Sequence, residues 1–140
     1  MDEPMVRQPL RALVVDDLAT ARFIVKSFLA RADDVRVVGV AESGEDAVEL
    51  VAELNPDVVV MDAEMPGMGG IEATRRIRDR FPQTRVIGFC YGEEDGDLGP
   101  RMREAGAFRF VPKGSPLSRL LKTIREVAAD AGGQRTGPRR

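Results

Sequence analysis

The sequence predicts an α/β protein built on a doubly wound, five-stranded parallel sheet. Short apolar runs alternate along the chain with longer segments whose apolar residues recur at helical spacing. This alternation is typical of βαβ units, in which a helix joins two parallel strands. Most of the runs are apolar throughout instead of at every second residue, which indicates a sheet covered by helices on both faces.

The first half of the chain supplies three strands and two helices. Strands are predicted from Leu10 to Val15, over "VRVVGVA" (35–41) and over the run that precedes Asp62. The first helix has Ile24, Val25, Phe28 and Leu29 on one face. The second helix follows Ser43 as N-cap and places its apolar residues at i, i+3, i+4 and i+7: Ala47, Leu50, Val51 and Leu54.

The second half supplies two strands and three helices. A helix is predicted from Ile71 to about Arg80, and strands over "RVIGFC" (85–90) and "FRFV" (108–111). Gly96, Gly99 and Pro100 should delay the fourth helix, so that it begins near Pro100 and is short. The last helix has Ser115 as cap, Pro116 in its first turn and an apolar face of Leu117, Leu120, Leu121, Ile124, Val127 and Ala128.

The ends of the chain differ from this pattern. Residues 1–9 are mainly polar and are interpreted as an N-terminal extension, and residues 132–140 lack apolar side chains and are predicted to be a disordered tail. The 140 residues suffice for one domain with a single core. No run approaches the roughly 20 apolar residues of a membrane span, and no signal peptide is recognisable, so we expect a cytoplasmic protein.

Composition excludes several kinds of function. The formal net charge of -2 provides no broad basic field for nucleic acid or an anionic membrane. One Cys and no His exclude a disulfide framework and the usual zinc ligand sets, and they remove the commonest general base. Chemistry in this chain must therefore use carboxylates, lysine and hydroxyl groups.

Polar residues follow or end four of the predicted strands. Asp16 and Asp17 end the first, Asp62 the third, Cys90 the fourth and Lys113 the fifth. Because ligands of open parallel sheets bind beyond the carboxyl ends of the strands, we expect these side chains to meet at one edge. Taken singly, the acids could be a helix cap, "MPGMGG" a turn and the lysine a solvated charge; their shared position favours a site.

Three neighbouring carboxylates indicate a bound cation. They repel one another unless a cation neutralises them, and an all-oxygen ligand set suits Mg²⁺. Lys113 supplies a second positive charge, so a phosphoryl group could lie between the two. Asp62 is already ionised at neutral pH and is the most economical nucleophile for an acyl phosphate.

At these residues the chain resembles the receiver domain of two-component response regulators. The resemblance covers about Leu10 to Ala129, within a domain expected over residues 10–131, and rests on "VVDD", "VVVMDAEMPGMGGIEATRRIR" and "FVPKGSPLSRLLKTIREV", in that order. The segments "VVGVAESGEDAVELVAELNPDVVVMD" and "KGSPLSRLLKTIRE" are especially similar to receivers that precede helix-turn-helix DNA-binding domains. No such domain follows within these residues.

The resemblance implies a flavodoxin-like sheet in the order 2-1-3-4-5 and a role for each site residue. Asp62 is then the phosphoacceptor, Asp16, Asp17, Asp62 and the backbone carbonyl of Glu64 hold Mg²⁺, and Lys113 pairs with the phosphoryl group. The implied donor is a histidine kinase or phosphotransfer protein. The implied output is a downstream protein or effector domain on the fourth helix, fifth strand and fifth helix, without direct nucleic-acid or membrane binding. No reaction beyond self-phosphorylation and autodephosphorylation is implied.

Three positions depart from the family pattern. Cys90 stands where Thr or Ser is usual, Gly114 follows Lys113 where Pro is common, and the aromatic switch position holds Phe110, which has no hydroxyl. Cys90 could indicate a redox sensor, but nearby carboxylates disfavour its thiolate. The interpretation we favour is a small residue tolerated at a switch position.

Two other functions stay open at this point. One is a receiver-like scaffold that regulates a partner without phosphorylation, for which Cys90 could mark decay of the switch. The other is an aspartyl-phosphate phosphohydrolase, because "DAE" at 62–64 resembles the acid-x-acid pair of those enzymes. In those families the pair follows the first strand and its second acid is Asp, which disfavours this reading.

Overall fold

Five strands and five helices alternate along the part of the chain that the structure describes. The structure is a computed structural model that describes residues 8–91 and 96–130. The predicted tail and most of the predicted N-terminal extension lie outside those ranges. In chain order the elements are β1 (Leu10–Val15), α1 (Ala19–Leu29), β2 (Val35–Ala41), α2 (Gly44–Leu54), β3 (Val58–Met61), α3 (Gly70–Arg80), β4 (Arg85–Cys90), α4 (Leu98–Ala105), β5 (Arg109–Pro112) and α5 (Leu117–Asp130).

The five strands form one parallel sheet in the order β2-β1-β3-β4-β5. The predicted fold class and strand order are confirmed. Between β1 and β3 the register pairs Val15 with Met61, the last residues of the two strands. The residues that follow them therefore emerge side by side at the same edge of the sheet.

The sheet has a separate apolar core on each face. On one face α2, α3 and α4 cover alternate strand residues such as Leu13 and Met61. On the other face α1 and α5 cover the intervening residues, such as Val14 and Val60. Because both faces are covered, the central strands need apolar residues at every position, which is the pattern read from the sequence.

The first helix buries a narrower face than predicted. Val25 and Leu29 are buried and Phe28 is partly buried, but Ile24 is 49% exposed, so only part of the predicted apolar face is buried. Phe23 is 70% exposed on the same helix. Where apolar residues are neighbours in a helix, as Ile24 and Val25 are, either of two overlapping faces could be buried. Packing of α1 against the sheet and α5 decides which face is covered.

The ends of the helices follow local chemistry with one difference from expectation. Ser43 caps α2 as predicted, because its hydroxyl accepts from the Asp46 N–H at 3.1 Å. In contrast, α5 begins after Pro116, and the Ser115 hydroxyl accepts from the Arg119 side chain at 3.2 Å. As predicted, α4 is short, at 8 residues; its first turn includes Pro100, where a missing N–H costs no helical hydrogen bond.

None of the helices in residues 8–91 and 96–130 combines the length and the apolar composition that crossing a membrane requires.

Candidate functional site

The carboxyl edge of the sheet brings three acidic side chains together. Asp16 and Asp17 follow β1, Asp62 follows β3, and one carboxylate oxygen of each lies within 4.8 Å of the others. The backbone places them: the Asp62 N–H donates to the Val15 carbonyl at 3.0 Å, continuing the ladder between the two strands. The expected meeting of these residues is therefore observed.

Lys113, which follows β5, reaches across β4 to the acids. Its backbone N–H donates to the Cys90 carbonyl at 3.1 Å, so the Lys113 side chain leaves the backbone next to β4. Its Nζ atom lies 2.5 Å from Asp16 Oδ2 and 3.7 Å from Asp62 Oδ2, and the side chain is only 8% exposed. The ammonium group thus serves as an internal counterion for Asp16, Asp17 and Asp62, which together form the acidic pocket.

The electrostatics of Lys113 reflect a balance between burial and these partners. Burial opposes its charged form, but the hydrogen bond with Asp16 and the charges of Asp62 and Asp16 outweigh that effect, so its pKa lies above the ordinary value. The amine is protonated at neutral pH. It is therefore available as a cation for any anionic group that enters the pocket.

Asp62 is buried and its charge is costly. The pKa of Asp62 is raised to about 6, and burial is the largest cause. The charges of Asp16 and Asp17 also raise the pKa. The Glu64 N–H, which donates to Asp62 Oδ1 at 3.1 Å, and the charge of Lys113 lower it. At neutral pH most molecules still carry the carboxylate. Asp62 is thus an anion with little hydration, which favours nucleophilic attack.

The loop after Asp62 is held against the strand by glycine. The Gly70 N–H donates to the Ala63 carbonyl at 3.0 Å, and a Cβ at Gly70 would overlap the carbonyl oxygen of Asp62. Sequence reasoning identified "MPGMGG" only as a turn. The close approach of α3 to the backbone of Asp62 requires a residue without a side chain at position 70.

Cys90 lies at the same edge and is 1% exposed. Burial is the largest cause of its raised pKa, to about 11; a backbone hydrogen bond from Ala63 lowers the pKa, and the charge of Asp62 raises it. A thiolate at Cys90 is therefore disfavoured, as predicted, but burial, and not the neighbouring carboxylates, is the main reason.

Two aromatic residues flank the site. Tyr91, which follows Cys90, places its ring centroid 5.2 Å from Lys113 Nζ; sequence reasoning missed it, although an aromatic residue directly after a strand at this edge was a usable signal. Phe110 is partly buried, and its ring lies against Gly88 of β4 and Gly99 of α4.

The acidic pocket has the donor chemistry of a hard-cation site. The three carboxylates offer only oxygen ligands, which suit Mg²⁺ better than a soft metal. Glu64 lies in the same loop, two residues after Asp62, and its side chain is exposed. These residues fit a divalent cation whose charge would add to that of Lys113.

Comparison with known proteins gives one consistent family. The model of the response regulator receiver domain matches residues 12–125. Response regulator GacA of Pseudomonas aeruginosa is 41% identical over 126 residues, which are 90% of this chain and 57% of GacA. A protein-glutamate methylesterase/protein-glutamine glutaminase of Myxococcus xanthus is 40% identical over 126 residues, 89% of this chain and 36% of that protein.

A solved structure agrees with these relatives. The signal receiver domain of the putative response regulator NarL from Mycobacterium tuberculosis superimposes with a TM-score of 0.82 at 30% identity, covering 88% of this chain and 98% of that chain. The chain spans just over half the length of GacA and about a third of the methylesterase. The similarity therefore concerns one domain of each relative.

Proposed function

The chain belongs to the response regulator receiver domain family of phosphorylation-switched signalling modules, and from that premise we propose that Asp62 accepts a phosphoryl group from a phosphohistidine in a Mg²⁺-dependent reaction. The observation that carries the proposal is the convergence of Asp62, two further acids and Lys113 in one pocket. We assign this activity to residues 10–131 as the receiver module.

The proposed reaction is an in-line transfer. An oxygen of Asp62 attacks phosphorus, the bond from phosphorus to the imidazole nitrogen of the donor breaks, and its electron pair stays on the imidazole. The ammonium of Lys113 lies within reach of the phosphoryl oxygens and offsets their negative charge. Held by Asp16, Asp17, Asp62 and the backbone carbonyl of Glu64, Mg²⁺ would supply the remaining neutralisation of charge.

The switch is proposed to run through Cys90 and Phe110. The thiol of Cys90 replaces the usual hydroxyl and is a weaker hydrogen-bond donor to a phosphoryl oxygen. Phe110 connects β5 to α4, because its ring packs on Gly99 in the first turn of that helix. In the proposed switch, a shift of Cys90 towards the phosphoryl group is passed along β4 and β5 to Phe110, which would alter the surface formed by α4, β5 and α5.

The proposed partners follow from the family. A histidine kinase or phosphotransfer protein donates the phosphoryl group, and a downstream protein or effector domain contacts α4, β5 and α5. The relatives include both a response regulator and a methylesterase, so similarity in the receiver alone does not select the effector. We propose no reaction on a separate substrate, and a cytoplasmic location stays a prediction.

The two alternative functions gain no support from the site. A scaffold without phosphorylation does not require Lys113 and three acids in contact distance, yet all four are present. A phosphohydrolase would use the second acid of "DAE", but Glu64 is exposed and only its backbone N–H contacts Asp62.

Intact-mass measurement tests the proposal. With acetyl phosphate and Mg²⁺ we expect one alkali-labile phosphoryl group on the wild type and none on Asp62→Asn or in the presence of a chelator. Asp57→Asn is the matched control, because Asp57 lies at the opposite end of β3, where it accepts the Arg11 N–H at 2.9 Å. Full labelling of Asp62→Asn, or labelling of the wild type that the chelator does not reduce, would refute the assignment of Asp62 as the phosphoacceptor.

A further inference from the structure

Tyr91 contacts the active site while remaining largely in solvent. The residue is 68% exposed, but its ring centroid lies 5.2 Å from the ammonium nitrogen of Lys113. Of the cation–π contacts among the described residues, this one alone involves the counterion of the acidic pocket. The contact with Lys113 distinguishes this ring from that of Phe23, which is 70% exposed and contacts no cation among the described residues.

The position of the Lys113 ammonium matters for transfer, and its long side chain does not fix it. Lysine has a flexible four-carbon stem with a point charge, and catalysis of phosphoryl transfer depends on placing such charges accurately. In the structure the hydrogen bond to Asp16 Oδ2, at 2.5 Å, is the shortest contact of Nζ. That contact occupies an oxygen of the residue assigned above as a metal ligand.

The contact between Lys113 and the Tyr91 ring does not occupy an oxygen of a proposed metal ligand. It uses the π-face of Tyr91 and no carboxylate oxygen, so it remains possible when Asp16 is engaged elsewhere. A cation within roughly 6 Å of an aromatic centroid is attracted by the quadrupole of the ring, and Tyr and Phe both provide it. The hydroxyl of Tyr91 is therefore dispensable for this contact, whereas the ring is required.

We propose that Tyr91 is a positioning residue for phosphoryl transfer to Asp62, whose ring face holds the Lys113 ammonium at the mouth of the acidic pocket. This inference rests on the function proposed above. It assigns to the residue after β4 an action on the lysine after β5, and hence on the charge that the incoming phosphoryl group meets.

Three variants separate the ring from the bulk of the side chain. Tyr91→Phe keeps the ring, Tyr91→Leu keeps an apolar side chain without a ring, and Phe23→Leu is the control. Phe23 has a similar exposure of 70% on α1, and among the described residues its ring contacts no cation. Circular dichroism checks that each variant folds.

Three measurements follow for each variant. The first is the chemical shift of the Lys113 Hε protons without phosphodonor, which reports the ring current of an aromatic neighbour. The second is the affinity for beryllofluoride in saturating Mg²⁺, together with the affinity for Mg²⁺ alone. The third is the initial rate of labelling by acetyl phosphate.

We expect Tyr91→Phe and Phe23→Leu to match the wild type throughout. In Tyr91→Leu the Hε resonance should move downfield, and the beryllofluoride affinity and labelling rate should fall roughly two- to fivefold, as for an exposed cation–π contact. The Mg²⁺ affinity should change less than the beryllofluoride affinity, because Tyr91 offers no metal ligand.

Two results would overturn the inference, and a third would affect the proposed function as well. Equal values for Tyr91→Leu and the wild type would show that the ring is not needed. Equal losses in Tyr91→Leu and Tyr91→Phe would place the effect on the hydroxyl. A wild type that takes no phosphoryl group and binds no beryllofluoride would refute the proposed function itself, and this inference with it.

Discussion

The buried carboxylate of Asp62 makes the stability of the fold depend on pH. Its folded-state pKa of about 6 lies above the ordinary 3.8, so between these values the folded protein binds the proton more tightly than the unfolded chain does. The stability that the proton contributes is complete below about pH 4 and is lost as the pH rises through about 6. Above that range the buried carboxylate destabilises the fold.

We therefore predict that Asp62→Asn, in the presence of a chelator, raises the free energy of unfolding near neutral pH by on the order of 1 to 2 kcal/mol. The shift of the Asp62 pKa from 3.8 to about 6 corresponds to about 3 kcal/mol and already includes the attraction of Lys113; relaxation of the surroundings and residual hydration of the carboxylate reduce it. Urea unfolding between about pH 4 and pH 8 measures the gain, which should shrink towards the acid end. Asp33→Asn, at an exposed position, serves as control. A gain that grows towards low pH would contradict the sign.

At the scale of single residues, the sequence predicted those whose position depends only on strand ends. Asp16, Asp62 and Lys113 are brought together because each follows a parallel strand. The contact of Tyr91 with Lys113 was not predictable in this way, because it depends on the side-chain direction of a residue beyond the strand. The pKa of Cys90 depends mainly on burial, which periodicity does not quantify at a strand end.

Among the elements, the junction of β3 and α3 has the tightest backbone packing around the site. A Cβ at Gly70 would overlap the Asp62 carbonyl, whereas a Cβ at Gly114 would meet no heavy atom within 4 Å. The two glycines lie in loops at the same edge of the sheet but differ in free space. They form a matched pair for a test of backbone packing.

We predict that Gly70→Ala lowers the free energy of unfolding by roughly 1 to 3 kcal/mol, because α3 or the backbone of Asp62 must move to admit the methyl group. Gly114→Ala should be neutral or slightly stabilising, since it only restricts the unfolded chain. Thermal and urea unfolding decide between these outcomes. Equal stability of Gly70→Ala and the wild type would mean that the loop after Asp62 yields at little cost.

Some features of the strands and helices can be predicted from neighbouring residues alone. The predicted bounds of β1, β2 and β4 match the structure, and α2 has the predicted cap at Ser43, because these features depend on neighbouring residues. The predicted apolar face of α1 is only partly buried, because Ile24 on that face is half exposed. Which stripe of that helix is covered depends on α5 and the sheet, which are distant in sequence.

For the molecule as a whole, the charge of the acidic pocket is partly neutralised from within the chain. Lys113 contributes an ammonium group to three acids from two other strands, and its side chain is 8% exposed. Loss of one partner of a buried ion pair leaves uncompensated charge, which is strongly destabilising. A bound cation would replace part of the lost neutralisation, so the stability of the fold and metal binding should be linked.

We predict that Lys113→Met lowers thermal stability in chelator, and that Mg²⁺ raises the Tm of this variant more than that of the wild type. Methionine keeps much of the volume of the stem and removes the charge. Lys122→Met, at an exposed position on α5, is the control and should respond like the wild type. Differential scanning calorimetry over a Mg²⁺ titration measures the effect. The same rise in Tm for Lys113→Met and the wild type would exclude competition between Lys113 and the metal for Asp16.

The order of the strands was the part of the fold that periodicity could not supply. Alternating strands and helices predicted a parallel sheet with two covered faces, and both are observed. The order 2-1-3-4-5 came from the resemblance of "VVDD" and the segments around Asp62 and Lys113 to a known family. Several orders of five strands satisfy the same pattern of apolar runs, so only a comparison or a structure selects one of them.

The contact between Lys113 and Asp16 also has a consequence for biosynthesis. It joins residues 97 positions apart, so the pocket cannot close until nearly the whole domain has left the ribosome. A domain of this size folds as a unit, and its first strand, which lies between β2 and β3, is made before both of its partners. A nascent chain that ends before Lys113 carries three acids without their internal counterion. Such a chain therefore lacks the closed pocket in which the proposed phosphoryl transfer would take place.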